Sequence, residues 1–225
     1  EVNLVMSGPT WCNMHPQYCR ARDPEAAHDI LIQENHGSRC GADGEIHTLV
    51  SGLGVDIHVI RDDGMDFRNM PWGRDGREFC QGHQCWIGRE TRAITSTFTE
   101  PEQACRLIAG EAAPFLDHTG SATADAVRGD LSRDIPRPRF FHFATDIAGR
   151  RLITDTFDPA GGSCLYLADL PADGAPLRAF TYLLHTGTRA QKGAHAHPFL
   201  SPDGRLGLFN SDESGTLQAY LVRLP

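Results

Sequence analysis

An all-β fold, about four blades of a β-propeller, is what this 225-residue sequence predicts, and three observations predict it. A short phrase recurs four times: a His leads into an apolar residue, a polar turn follows, and a second alternating run returns. The turns are of Asp-Gly or Gly-Arg type, which between alternating runs read as hairpins. The leading histidines at 15, 83, 142 and 197 lie 68, 59 and 55 residues apart. That is longer than the roughly 40 to 50 residues of a bare blade, so insertions are expected between blades.

The elements follow in order. Val2-Asn3-Leu4-Val5-Met6 reads as a strand, and the first copy of the phrase, His15-Pro16-Gln17-Tyr18, leads through polar residues to Asp29–Glu34. Val55–Ile60 alternates and ends at the turn Arg61-Asp62-Asp63-Gly64. The second copy is His83-Gln84-Cys85-Trp86, turning at Gly88–Thr91 and returning along Ala93–Phe98. The third is His142–Asp146, turning at Ala148-Gly149-Arg150 and returning along Leu152–Asp155. Cys164–Asp169 and Phe180–Leu184 form a further strand pair around the turn cluster Asp169–Gly174. The fourth copy starts at His197-Pro198-Phe199-Leu200, turns at Ser201–Gly204 and returns along Leu206–Ser211. Two stretches break the alternation. Glu100–Ala109, with acidic residues at its start and apolar spacing near 3.6, predicts a short helix or irregular excursion. Glu111–Arg139 has no period and reads as loop. The chain is therefore expected to be one domain over 1–225, with a long loop at about 100–139 able to fold over the channel mouth.

Bulk properties exclude several classes. A formal net charge of −8 and no long Lys/Arg run argue against a nucleic-acid partner. No run of about eighteen apolar residues could span a bilayer, so no membrane partner is expected. Seven cysteines form no C-x-x-C pair, and the odd count argues against a disulfide framework. A reducing, cytoplasmic compartment is the expectation, although a chain that starts at Glu1 leaves a lost targeting segment and a periplasmic address open. Gly52 and Gly54 precede no helix, so no dinucleotide or phosphate-binding loop is present, and no G-x-S-x-G elbow marks a serine hydrolase.

Chemistry concentrates near the C-terminus, where Gln191, His195 and His197 fall within seven residues. In an extended segment side chains alternate with period two, so the two imidazoles would point the same way, as two ligands of one ion must. Equivalent positions of successive blades sit at equivalent radii, so the four leading histidines, His15, His83, His142 and His197, would converge on the central channel. His15 is equivalent by repeat but precedes Pro16 and reads as structural. His36, His47, His58, His118 and His185 lack a partner at ligand spacing and read as ordinary. Arg39, Arg137 and Arg139 could meet an anionic sugar, and Trp72 or Trp86 could stack on a pyranose, against the commoner solvated and core roles.

Gln191…His195-x-His197-Pro198, Phe141-His142-Phe143 before a Gly turn, and Gly82-His83-Gln84-Cys85-Trp86 together resemble the oligogalacturonate lyases. The resemblance implies a seven-bladed β-propeller that splits short pectic oligosaccharides by β-elimination with Mn²⁺. It covers about His15 to the C-terminus, the last four blades, with the first blades absent. It implies His142, Gln191, His195 and His197 as metal ligands, His83 as catalytic base, and an acidic oligosaccharide as partner. Two positions depart from the family: Gln191 stands four residues before His195 rather than three, and Asp56 takes the place of an arginine for the substrate carboxylate.

The chemistry suits those residue types. Removing the C5 proton of a uronate requires masking the adjacent carboxylate, and a divalent cation does so electrostatically. Imidazole and amide ligands leave the ion its full charge, and such a set accepts Mn, Fe, Ni or Zn. An unperturbed imidazole, with a pKa near 6.5, is mostly neutral at pH 7 and can serve as base. Two other readings stand beside this one: a non-catalytic propeller that acts as a protein-binding platform, and a metal-dependent sugar hydrolase or epimerase with the same ligands.

Overall fold

The computed structural model describes residues 2–49, 55–72, 78–99, 104–114, 128–158, 160–188 and 194–225. It is all-β: eighteen strands and one three-residue 3-10 turn, Ala26–His28, among the described residues. None of the described residues forms a helix long and apolar enough to cross a membrane.

The strands group into four consecutive antiparallel meanders, the blades of a β-propeller. Blade one pairs Asp29–Asn35 with Val55–Arg61, and Arg68–Asn69 adds to its edge. Blade two runs Glu78–Trp86, Arg92–Thr99, Ala104–Glu111, Arg128–Asp130. Blade three runs Phe140–Thr145, Arg151–Phe157, Ser163–Asp169, Arg178–Thr186. Blade four runs Phe199–Leu200, Leu206–Ser211, Gln218–Arg223. Blades one and two are hydrogen-bonded to each other through Val55 and Cys80, so they form one continuous sheet.

Each gap between blades is filled by apolar side chains from both sides. In blade three, Leu152 and Phe143 pack against Ile94 and Leu107 of blade two. Ile153, the neighbour of Leu152, packs toward blade four with Leu200 and Phe209. Leu152 and Ile153 are fully buried, which follows from period-two alternation in a sheet covered on both faces. Each such side chain contributes about 1.5–3 kcal/mol of transfer free energy. A polar stitch between blades two and three is Thr145, only 3% exposed. Its hydroxyl donates to the Trp86 carbonyl at 2.9 Å and accepts from the Gly88 amide at 3.0 Å and the Arg20 guanidinium at 3.1 Å.

Three expectations are corrected. Residues 2–6 form no strand. The stretch expected as a short helix or irregular excursion holds the strand Ala104–Glu111, because Leu107, Ile108 and Ala109 are buried between blades one, two and three and alternation is therefore hidden. The segment read as one long loop also carries Ala113–Pro114, paired with Arg68–Asn69, and Arg128–Asp130, paired with blade two. All seven cysteines are free thiols.

Candidate metal centre

Blades two and three repeat at the level of atoms around one histidine each. In blade two the Thr95 hydroxyl donates to the His83 carbonyl at 3.0 Å, and in blade three Thr154 does the same to His142 at 3.0 Å. The residue after each threonine faces the imidazole. Ser96 Oγ lies 3.4 Å from His83 Nδ1, whereas Asp155 Oδ2 lies 2.9 Å from His142 Nδ1. Both histidines sit where the ladder with the next strand breaks register, between Cys80 and Gln84 and between Phe140 and Phe143. A bulge re-aims the side chains it carries, and here two bulges bring the rings to a centroid separation of 4.4 Å. Gly82 makes the first bulge possible: its φ is +83°, and a Cβ there would meet the buried Gln33 amide at 3.0 Å.

His195 and His197 precede blade four outside any strand. Strand alternation is thus not what aligns them. His197 adopts a φ of +42°, and the intervening Ala196 is fully buried, its carbonyl accepting from the Asn210 amide at 2.7 Å. The two rings nonetheless stack at 5.5 Å and 20°, and His142 lies 3.9 Å from His197 and 5.2 Å from His195, centroid to centroid. One ligand nitrogen from each of His142, His195 and His197 lies within 4.8 Å of the others. His142 Nε2 and His195 Nδ1 are 3.4 Å apart, close to the roughly 3.3 Å of two imidazoles on a tetrahedral ion with bonds of about 2.0–2.1 Å.

The set fits a divalent metal on its own chemistry. Asp155 is 1% exposed and accepts from both the His142 amide at 2.7 Å and the His142 ring. A carboxylate only accepts, so it fixes the ring proton on Nδ1 and leaves the Nε2 lone pair facing the cluster, the orientation carboxylates impose on metal-binding histidines. Burial, and then the neighbouring imidazoles, push His83 down to about 2 and His197 down to about 4, and lower His195. These rings are therefore neutral near pH 7, as ligands and bases must be.

The same shifts carry a sign for stability. The unfolded chain takes up protons near pH 6.5 that the folded rings refuse, so the metal-free protein loses stability as pH falls through 6.5. Urea denaturation at pH 7, 6 and 5 should show a decline, with His83 responsible for about 1–2 kcal/mol of it by pH 5. His83→Gln should flatten that slope; an unchanged slope would contradict the assignment.

The cavity beside the cluster, about 360 Å³, is lined by His15, His83, His142, His197, Pro198 and Phe199 among others. His15, read as structural, is among the lining residues. Its Nδ1 bonds the Gly82 carbonyl at 2.9 Å, and its backbone is left-handed with φ +45°, so the segment before Tyr18 lays an additional imidazole over the blade-two bulge. Phe141, which the sequence pattern does not assign to the site, packs 4.8 Å from His83 and 4.9 Å from His142. Gln191 and His118 lie outside the described residues. Trp72 and Trp86, 1% and 2% exposed, belong to the core. Arg137 and Arg139 line a different cavity with Tyr166 and Phe180, and Asp56 contacts His36 at 3.0 Å. No Lys or Arg stands among the described residues lining the histidine cavity.

No protein-family model matches the chain, and no curated protein matches it by sequence. Among solved structures, it is similar to an oligogalacturonate lyase from Vibrio parahaemolyticus at TM-score 0.60 and 18% identity, covering 94% of this chain and 48% of that one. A glucose dehydrogenase aligns over 93% of this chain and 81% of its own at 14% identity, with a TM-score of 0.30 that carries no argument. The chain spans about half the length of the lyase, and what the two share is the fold of propeller blades.

Proposed function

We propose that this chain carries the site of a metal-dependent lyase that cleaves oligogalacturonate, or a related uronate-containing oligosaccharide, by β-elimination. The observation that carries the reading is the convergence of His142, His195 and His197 within coordinating reach of one another, with His83 beside them. The distant likeness in fold to an oligogalacturonate lyase agrees with it.

In this reading His142, held by Asp155, and His195 and His197 would hold the ion, with Gln191 as a fourth ligand. A divalent cation, Mn²⁺ as the family resemblance implies, would supply positive charge to the uronate carboxylate and so acidify C5. His83 then takes the C5 proton. Ser96 at Nδ1 steadies its ring, leaving Nε2 as the accepting nitrogen. The C5–H electron pair becomes the C4–C5 double bond as the C4–O bond breaks, and the departing oxygen takes a proton from solvent. Phe141, packed on His83, His142 and His195, shields the imidazoles from water on its side. In this reading the cation would meet the substrate carboxylate.

The test pairs elemental analysis with an ultraviolet assay for the unsaturated uronide. Wild type should retain a divalent metal and form the absorbing product from oligogalacturonate, and His195→Ala should lose one equivalent of metal and the product. Equal metal content in the two would remove the proposed centre. Cleavage without an absorbing product would instead assign hydrolysis.

A further inference from the structure

We propose that blade three carries a second, separate metal site, a surface zinc site formed by Asp158, Cys164 and His185. One ligand atom from each lies within 4.8 Å of the others. Three features of the fold bring them together. Cys164 and His185 stand directly opposite each other in the register of Ser163–Asp169 with Arg178–Thr186. Asp158 opens the turn that leads into Ser163–Asp169, and its Oδ1 accepts the Ala160 amide at 2.8 Å, which orients Oδ2 toward His185 Nε2 at 3.6 Å. Gly162, at φ +90°, lets the imidazole lie against the turn backbone, since a Cβ there would meet the His185 ring at 2.8 Å.

The donor set selects the ion. A thiolate, an imidazole and a carboxylate suit zinc, whereas the all-imidazole channel site does not call for a soft ligand. Tetrahedral zinc with bonds of about 2.0–2.3 Å needs donors roughly 3.4–3.6 Å apart; Asp158 Oδ2 and His185 Nε2 already stand at 3.6 Å, and no donor pair exceeds 4.8 Å. All three side chains are partly exposed and free to adjust, and water completes the fourth position. His185 Nε2 now bonds the Gly161 carbonyl at 2.9 Å, a contact that coordination through Nε2 would replace. Burial and the Asp158 charge keep the Cys164 thiol protonated without a cation. Zinc uptake therefore releases that proton, one per ion. The two negative charges match the ion, and the turn becomes clamped to the outermost strand of the blade.

Cobalt reports on the site directly, because only a thiolate ligand gives sulfur-to-metal charge-transfer absorption. The full chain titrated with Co²⁺ should show that absorption, at the intensity of one thiolate-bound ion per chain. Cys164→Ser should abolish it and lower the zinc content by one equivalent, while His195→Ala should leave it intact. His185→Asn, at an exposed position, should weaken the absorption at least tenfold in Co²⁺ affinity and serves where Cys164→Ser fails to fold. Absence of the charge-transfer absorption in folded wild type at saturating Co²⁺ would overturn the proposal. So would an undiminished band in folded Cys164→Ser or in His185→Asn.

Discussion

Asp155→Ala is expected to cost about 3 kcal/mol of folding stability and to lower metal affinity by roughly 10- to 100-fold. The carboxylate is 1% exposed and accepts two hydrogen bonds from the same residue, the amide and the ring of His142. Truncation leaves a buried N–H without a partner and frees the ring to turn. Asp155→Asn separates the two effects. If its amide oxygen takes the backbone N–H, its NH₂ group faces His142 Nδ1, which must then accept. The ring proton moves to Nε2, the nitrogen needed for the ion. The Asn variant should accordingly stay close to wild type in urea midpoint yet lose metal. Chemical denaturation with metal analysis of both variants checks this, and full metal retention in Asp155→Asn would refute the tautomer argument.

His83→Gln is expected to reduce elimination by about 10²- to 10⁴-fold while leaving metal content at the wild-type level. His83 neighbours His142, but it is not among the three residues whose nitrogens fall within mutual ligand reach. A loss of metal would make it a ligand rather than a base. Ser96 offers the complementary experiment. It occupies the place in blade two that Asp155 occupies in blade three. Ser96→Asp puts a carboxylate on His83 Nδ1 and raises the proton affinity of the ring. A base must be neutral, so the acid limb of the rate profile should move to higher pH. An unmoved limb would dissociate His83 from the proton transfer.

The histidines of the site were legible in the sequence for a definite reason: each stands at the head of a repeated phrase, and a repeat fixes radius as well as face. His83 and His142 were found this way, and the short spacing of His195 and His197 supplied the rest. What the sequence concealed were the devices that aim them. Bulges at Gly82 and beside Phe141 depend on cross-strand register, and the left-handed turn at His197 breaks the alternation that seemed to align it. His15 was discounted because Pro16 follows it, although the chain before Tyr18 returns over Gly82. Asp158, Cys164 and His185 lie 27 residues apart end to end and meet only through strand pairing. The strand Ala104–Glu111 was hidden because burial on both faces erases alternation.

The imidazoles of the site are rooted in three different blades, and neighbouring blades abut through interdigitated aliphatic side chains and a few polar links, Thr145 to Trp86 and Arg151 to Gly204 among them. The tolerances of the centre are therefore set by how firmly neighbouring wedges abut, not by any one hairpin. A slip of an ångström or two along either seam would scatter the nitrogens while every strand kept its own ladder. Warming would disarm the protein before it melts it.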